Sequence, residues 1–276
     1  MNKFYLRILL LPVTLFVVLF AIVPILELIM LTIKGSNFYF FEYVSFFKNS
    51  YNVRVLIKTI EIAIFTVLIV LFIAFPLSLW ITRQKTWLKG ILTLFVLFPI
   101  LTNTVVRNYA WIIILGKDGI INNFLSYIHV INQPLNILYT PIAIIIGSVY
   151  LFLPIMVITL MGSASELNIE TEEAASILGA TPSVSLIKII IPQLLPGILT
   201  GSILVFAGAM TAYTTPQILG GNKNLVMSTL IYQQSMTLGN WQNASVVAII
   251  LIVISVLTMT ILRKLSYKID RRKLNA

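Results

Sequence analysis

The chain has 276 residues, of which 59% are hydrophobic and only 10% charged, and its mean hydropathy is +0.99. A water-soluble domain of this length carries about a quarter of its residues as charges, so a soluble fold is excluded and lipid is the expected solvent. The net charge of +10 is scattered between apolar runs and at both ends, which argues against a nucleic-acid interface, while zero cysteines and the single His129 exclude disulfides and thiolate or multi-histidine metal centres.

Lys3 and Arg7 followed by an apolar run look like a secretory signal, but Ile8–Ile33 is too long and lacks a small-residue cleavage site. It reads as a retained first spanning helix. A crossing needs about 20 apolar residues, and five further segments qualify: Ile60–Thr82, Ile91–Leu115, Ile137–Met161, Ile198–Leu219 and Ala244–Leu262. These runs are continuous, without the alternation of a membrane barrel, so the fold class is all-α integral membrane with six transmembrane helices in a single domain over 1–276. With the amino terminus inside, most of the 19 basic residues, among them Arg83, Lys85, Lys89, Arg263 and Lys264, fall on the cytoplasmic side. Both termini are therefore expected to be cytoplasmic.

Between the first two spans, Gly35–Arg54 is rich in aromatics (Phe38, Tyr39, Phe40, Phe41, Tyr43, Phe46, Phe47), as expected of a segment at headgroup level or one packed on the bundle. Glu27 lies near the outer end of the first span, within reach of headgroups. Glu61 follows Lys58 by three residues and is expected to pair with it. The outer part of the third span is polar, with Asn103, Arg107, Asn108, Tyr109 and Trp111. A charge inside a span is costly and usually faces a cavity or a partner. Arg107 reads as a pathway or gate residue or a contact for an external protein, or else as an arginine snorkelling to the interface beside an aromatic belt. His129 reads as a solvated loop residue.

The one long inner loop, Gly162–Gly197, carries Glu166, Glu170, Glu172 and Glu173 of the nine acidic residues. Asn168 or Thr171 can cap a helix whose positive end Glu172 and Glu173 complement. Ala174, Ala175, Ile177 and Leu178 continue it, and Gly179 suits a left-handed stop. Thr181 and Pro182 can open a second, amphipathic helix along the membrane surface, with Val184, Ile187, Ile190 and Ile191 at helical spacing. Pro192 and Pro196 are then expected to break the chain before the fifth span. Such a projection can dock in a groove of a soluble partner. The fifth span ends on Tyr213, Thr215, Pro216 and Gln217, polar groups that can line a cavity or bond back to their own helix.

Glu173-Ala174-Ala175, then Gly179, then Ile189-Ile190-Ile191-Pro192 resembles the signature loop of bacterial ABC importer permeases. The family form is E-A-A, three residues, G, nine residues, I-x-L-P, and the sequence departs from it only at Ile191. Arg107-Asn108-Tyr109-Ala110-Trp111, Gly119-Ile120-Ile121-Asn122 and Pro216-Gln217-Ile218-Leu219-Gly220-Gly221 are similar to segments of the Pot-type spermidine/putrescine permeases, from about residue 90 to 221.

The resemblance implies a type I ABC importer permease fold in the cytoplasmic (inner) membrane, with a core over about 55–265 and a coupling loop over about 162–197. It places Glu172, Glu173, Ala174, Ala175, Leu178, Gly179 and Ala180 at the contact with an ABC ATPase subunit. Asn103, Arg107, Asn108, Tyr109, Trp111, Tyr213, Thr215 and Gln217, the polar and aromatic residues of the third and fifth spans, are the candidates for the solute pathway or gate. The implied assembly has two ATPase copies, a second permease subunit forming a heterodimer, and an extracytoplasmic solute-binding protein. No catalytic residue, metal or cofactor is expected, because the sequence holds no phosphate-binding loop or nucleophile constellation. Pot-type permeases often carry a carboxylate where Ala212 stands. That departure counts against a polyamine, which is favoured even so, with a related organic cation, an amino acid-like or a phosphonate solute behind it. An ion-coupled secondary transporter is the alternative. It predicts inverted repeats and mid-membrane ionisable groups, which the sequence does not display.

Overall fold

A computed structural model describes residues 3–33, 41–167 and 169–269, and among these every regular element is helical. Phe38, Tyr39, Phe40 and the cap candidate Asn168 lie outside the described residues, as do the basic residues at the extreme carboxyl end. In chain order the helices are α1 (Lys3–Ile33), α2 (Phe41–Lys48), α3 (Ser50–Thr82), α4 (Thr86–Leu101), α5 (Thr104–Leu115), α6 (Ile120–Tyr127), α7 (Pro141–Ser165), α8 (Ile169–Ile177), α9 (Pro182–Thr211), α10 (Met227–Tyr232) and α11 (Trp241–Ile269). Five of these, α1, α3, α7, α9 and α11, are long and apolar enough to cross a membrane. A sixth crossing follows if the bent pair Thr86–Leu101 and Thr104–Tyr127 is one span.

The residues divide into two compact units. One holds the chain up to Leu56 together with Met227–Val253. In it α2 buries Phe46 and leaves Phe41 and Phe47 exposed, and Tyr43 donates to the hydroxyl of Thr32 in α1 at 3.1 Å. Among the described side chains of α1, Thr32 alone is buried. An apolar helix with so little protein around it has lipid or another chain as its solvent.

The other unit runs over Ile57–Val226 and resumes at Ile254. Its centre is the pairing of α7 with α9. Along α7 the buried positions Ala143, Gly147, Pro154, Val157, Met161 and Ala164 recur at helical spacing and present one face. Gly197 and Gly201 of α9 meet a second face of α7, that of Met156, Thr159 and Ser163: a methyl added at Gly197 would strike Ser163, and one at Gly201 would lie 2.5 Å from the sulfur of Met156. Small residues at a crossing let two backbones approach, which is how helices pack where lipid offers no hydrophobic drive. Leu115, Ala143 and Leu219 form one apolar cluster, and Ala164, Ile190 and Leu194, with Phe75, Leu79 and Leu167 against them, form another.

Several expectations are corrected. The third span is not one helix over Ile91–Leu115 but two, meeting at Thr102 and Asn103 with a 94° bend. The local reason is a competing start signal, for the Asn103 side chain accepts from the amides of Val105 and Val106 at 2.9 and 3.3 Å and opens a new helix. The surface helix and the proline break before the fifth span do not exist as such, because Pro182–Thr211 is one helix of 30 residues. A π turn over Leu186–Ile190, in which the Ile191 amide reaches back to the Leu186 carbonyl, slips the register just before Pro192. That slip admits a ring that would otherwise strike the preceding turn. The helix ends at Thr211, eight residues before the expected Leu219, and the inter-helix stretch of the long loop shrinks to the segment around α8. Lys58 donates to Asn224 at 3.1 Å rather than pairing with Glu61, and Thr171 sits inside α8 rather than capping it.

Candidate functional site

Helix α8 and its exit are built almost without burial: none of the described residues from Glu170 to Ala180 is buried. Local backbone chemistry shapes the end. Gly179 has φ +85°, its amide donates to Ser176 O at 3.0 Å, and the Ala180 amide donates to Ala175 O at 3.0 Å. This pair of bonds is a Schellman stop, which needs a left-handed residue and favours glycine. Thr181 and Pro182 then start α9 as the sequence predicts, though without a bond from the Thr181 side chain.

The stop leaves Ile177 and Leu178 projecting at 86% and 87% exposure, with Glu173, Ala174 and Gly179 also exposed and Glu172, Ala175 and Ala180 half-buried. Two adjacent large apolar side chains exposed at the end of a capped helix have the chemistry of a docking feature. Sequence reasoning gave Ile177 only a helix-forming role, and its neighbour relation to Leu178 across the stop was the available signal.

The placement of α8 against the spans rests on a contact absent from the sequence reading. Nη2 of Arg83, just past the end of α3, donates to Oε1 and Oε2 of Glu172 at 3.0 and 2.7 Å. This is the one ion pair among the described residues. Beside it opens a cavity of about 600 Å³ lined by Leu79, Thr82, Lys89, Ser165, Glu173 and Ser176 as well as the pair itself.

The polar residues near the bend fall into two groups. Arg107 is 6% exposed and donates from Nη1 to the Pro99 carbonyl at 2.7 Å, closing the angle between α4 and α5. Its Nε and Nη2, and both polar atoms of the fully buried Asn108, have no partner among the described residues. Asn108, Thr215 and Leu219 converge on Gly147 of α7. A methyl there would lie 2.8 Å from Thr215 Cγ2, 2.6 Å from Leu219 Cδ1 and 3.9 Å from Asn108 Oδ1. Asn108 and Thr215 are thus gathered on α7, and Arg107, buried against Pro99, is not snorkelling to an interface.

Asn103, Tyr109 and Trp111 are not part of that cluster. Asn103 serves as a cap, Tyr109 is 59% exposed, and Trp111 packs edge-to-face on Tyr150 with ring centroids 5.7 Å apart. Tyr213 and Gln217 are half-buried and joined by a backbone bond of 3.0 Å from the Gln217 amide to the Tyr213 carbonyl. Two asparagines beyond the predicted pathway set hold inter-helix connections. Asn122 exchanges bonds with Leu135 and donates to Gly116 O, and Asn224 donates to Tyr139 O at 2.6 Å. His129 is exposed, with φ 57°.

Residues 74–273 match the family described as binding-protein-dependent transport system inner membrane component. The chain is 32% identical over 219 residues to the spermidine/putrescine transport system permease protein PotB of Salmonella typhimurium (strain SL1344), covering 79% of this chain and 76% of the relative. It is 30% identical over 263 residues to PotB of Haemophilus influenzae, covering 92% of each. The fold is similar to a chain in the crystal structure of a bacterial alginate ABC transporter in complex with its alginate pentasaccharide-bound periplasmic protein. There the TM-score is 0.82 at 19% identity, over 98% of this chain and 96% of that one. With the apolar helices, these matches decide the assignment: the chain belongs to the binding-protein-dependent transport system inner membrane components, the multi-pass inner-membrane permease subunits of ABC importers.

Proposed function

We propose that this permease imports a polyamine of the spermidine/putrescine class, powered by an ATPase that docks on α8. The observation that carries the solute class is the 30% identity to a spermidine/putrescine permease across 92% of both chains. The chemistry agrees in one respect. A polyamine bears several positive charges and needs carboxylates or aromatic faces along a dry path, and the one arginine within the bent span is turned inward and engaged with Pro99 rather than displayed to a cation. Ala212 supplies no carboxylate, so a second, different permease subunit contributes the acidic side of the path. An external binding protein delivers the solute.

Docking of the ATPase is supported by the exposed Ile177 and Leu178, the Schellman stop and the spacing of the E-A-A motif, with Glu173, Ala174, Ala175, Gly179 and Ala180 around them. Asn108, Thr215, Tyr213 and Gln217 flank the path where α9 ends. The solute assignment is tested by titrating the partner binding protein with spermidine, putrescine, amino acids and phosphonates and by uptake of labelled spermidine into proteoliposomes. Polyamine binding with ATP-dependent uptake is expected. Binding of a phosphonate or amino acid in place of polyamines refutes it. Orientation is tested on the native background, which contains no cysteine: Ser176→Cys is labelled only by a reagent that enters the cytoplasm, and labelling from outside overturns the cytoplasmic placement.

A further inference from the structure

None of the described side chains of helix α8 is buried to fasten it, and its Schellman turn fixes only the local chain path. An element that receives force from a partner and hands it to the spans needs a rigid connection to them. The connections given by the chain itself run to α7 and α9. A third connection crosses 89 positions of sequence, from Glu172 to Arg83. Arg83 follows Leu79 by one helical turn, with its amide on the Leu79 carbonyl at 3.3 Å, and Leu79 packs on the Ala164, Ile190 and Leu194 cluster. The guanidinium is therefore mounted on a part of α3 that is itself anchored, two residues after the fully buried Ile81.

The Arg83 and Glu172 side chains are 57% and 34% exposed. An ion pair that wet adds little to the stability of the fold, so stabilisation does not account for the contact. One guanidinium nitrogen held to both carboxylate oxygens does restrict where the α8 axis sits relative to α3.

We propose that Arg83 is a positioning residue that, through Glu172, links α8 to the second span, so that movement of α8 by the ATPase is delivered to α3 directly as well as through α7 and α9. The proposal rests on the reading of α8 as the ATPase-docking helix. It predicts that the link works by charge pairing and tolerates reversal of its sign.

The test uses the whole transporter, with both permeases, ATPase and binding protein in proteoliposomes, and reads solute imported per ATP hydrolysed. Arg83→Glu and Glu172→Arg should each lower that ratio by about tenfold, within the range usual for a coupling free energy. The double reversal Arg83→Glu with Glu172→Arg should restore it to within about threefold of the parent. Arg83→Lys, which keeps the charge, should fall between. Size-exclusion profiles of each variant confirm that the assembly forms. A parent-like ratio in both single variants, or a double reversal no better than the worse single one, overturns the link. Leu178→Asp separates this outcome from failure of the docking reading. If it leaves recovery of the ATPase with the permease unchanged, α8 is not the docking helix, whatever the charge-reversal result.

Discussion

Replacement of Gly179 tests how far the elbow between α8 and α9 depends on backbone conformation alone. At φ +85° nothing lies within 4 Å of a Cβ built on this residue, so a side chain meets no steric obstacle and the whole cost is conformational. For an ordinary L-residue that cost is about 1–2 kcal/mol. Asparagine enters the left-handed region more readily. The two Schellman bonds of 3.0 Å break if the chain escapes the strain. A shift of about 1–2 kcal/mol changes a population by about 5–30-fold, so Gly179→Ala should lower ATP-driven uptake in proteoliposomes several-fold, and Gly179→Asn should retain most of it. Because residues 170–180 are not buried, the loss is a local fraying rather than unfolding of the spans. The melting temperature of the detergent-solubilised protein should move by no more than about 2 °C. Equal uptake by the alanine and asparagine variants, or a loss of uptake matched by a large fall in melting temperature, refutes the reasoning.

Removing the cap at the bend by Asn103→Ala should cost about 1 kcal/mol and lower the melting temperature by about 2–4 °C, with Asn103→Ser close to the parent in the same thermal assay. Gly197→Val brings a side chain onto Ser163 across the α7 and α9 crossing and should destabilise by about 1–3 kcal/mol. Gly162→Ala, where a Cβ meets nothing within 4 Å, is the neutral control, and equal thermal stability of the two would argue against the close crossing. Arg107→Ala removes the tie to Pro99 and should reduce initial uptake while permease abundance in the membrane, followed by immunoblot, stays at the parent level. Undiminished uptake would take Arg107 out of the transport machinery.

Much of the elbow is legible in the sequence because its determinants are local. Gly179 stops α8 through its own backbone freedom, and Pro182 opens the next helix because it needs no amide hydrogen there. The same local rules mislead where two of them compete. Asn103 has the chemistry of a cap, but inside a long apolar run hydropathy predicts continuation, and only the observed bond to Val105 shows that capping prevails. Pro192 carries a breaking signal that a π turn just before it absorbs, and Pro196 sits inside the continuing helix.

By itself the sequence determined that the solvent is lipid, that the fold is helical with about six crossings, and that a capped acidic helix lies between the fourth and fifth of them. These follow from hydropathy and capping, each a property of a residue and its near neighbours. Only the tertiary structure decided that Arg83 holds Glu172 and that Lys58 holds Asn224, partners 89 and 166 positions apart. It alone gathered Asn108 and Thr215 around Gly147. Such pairings depend on which helix faces are brought together, and that is fixed by the close packing of small residues along α7 and α9 rather than by any signal carried in one segment.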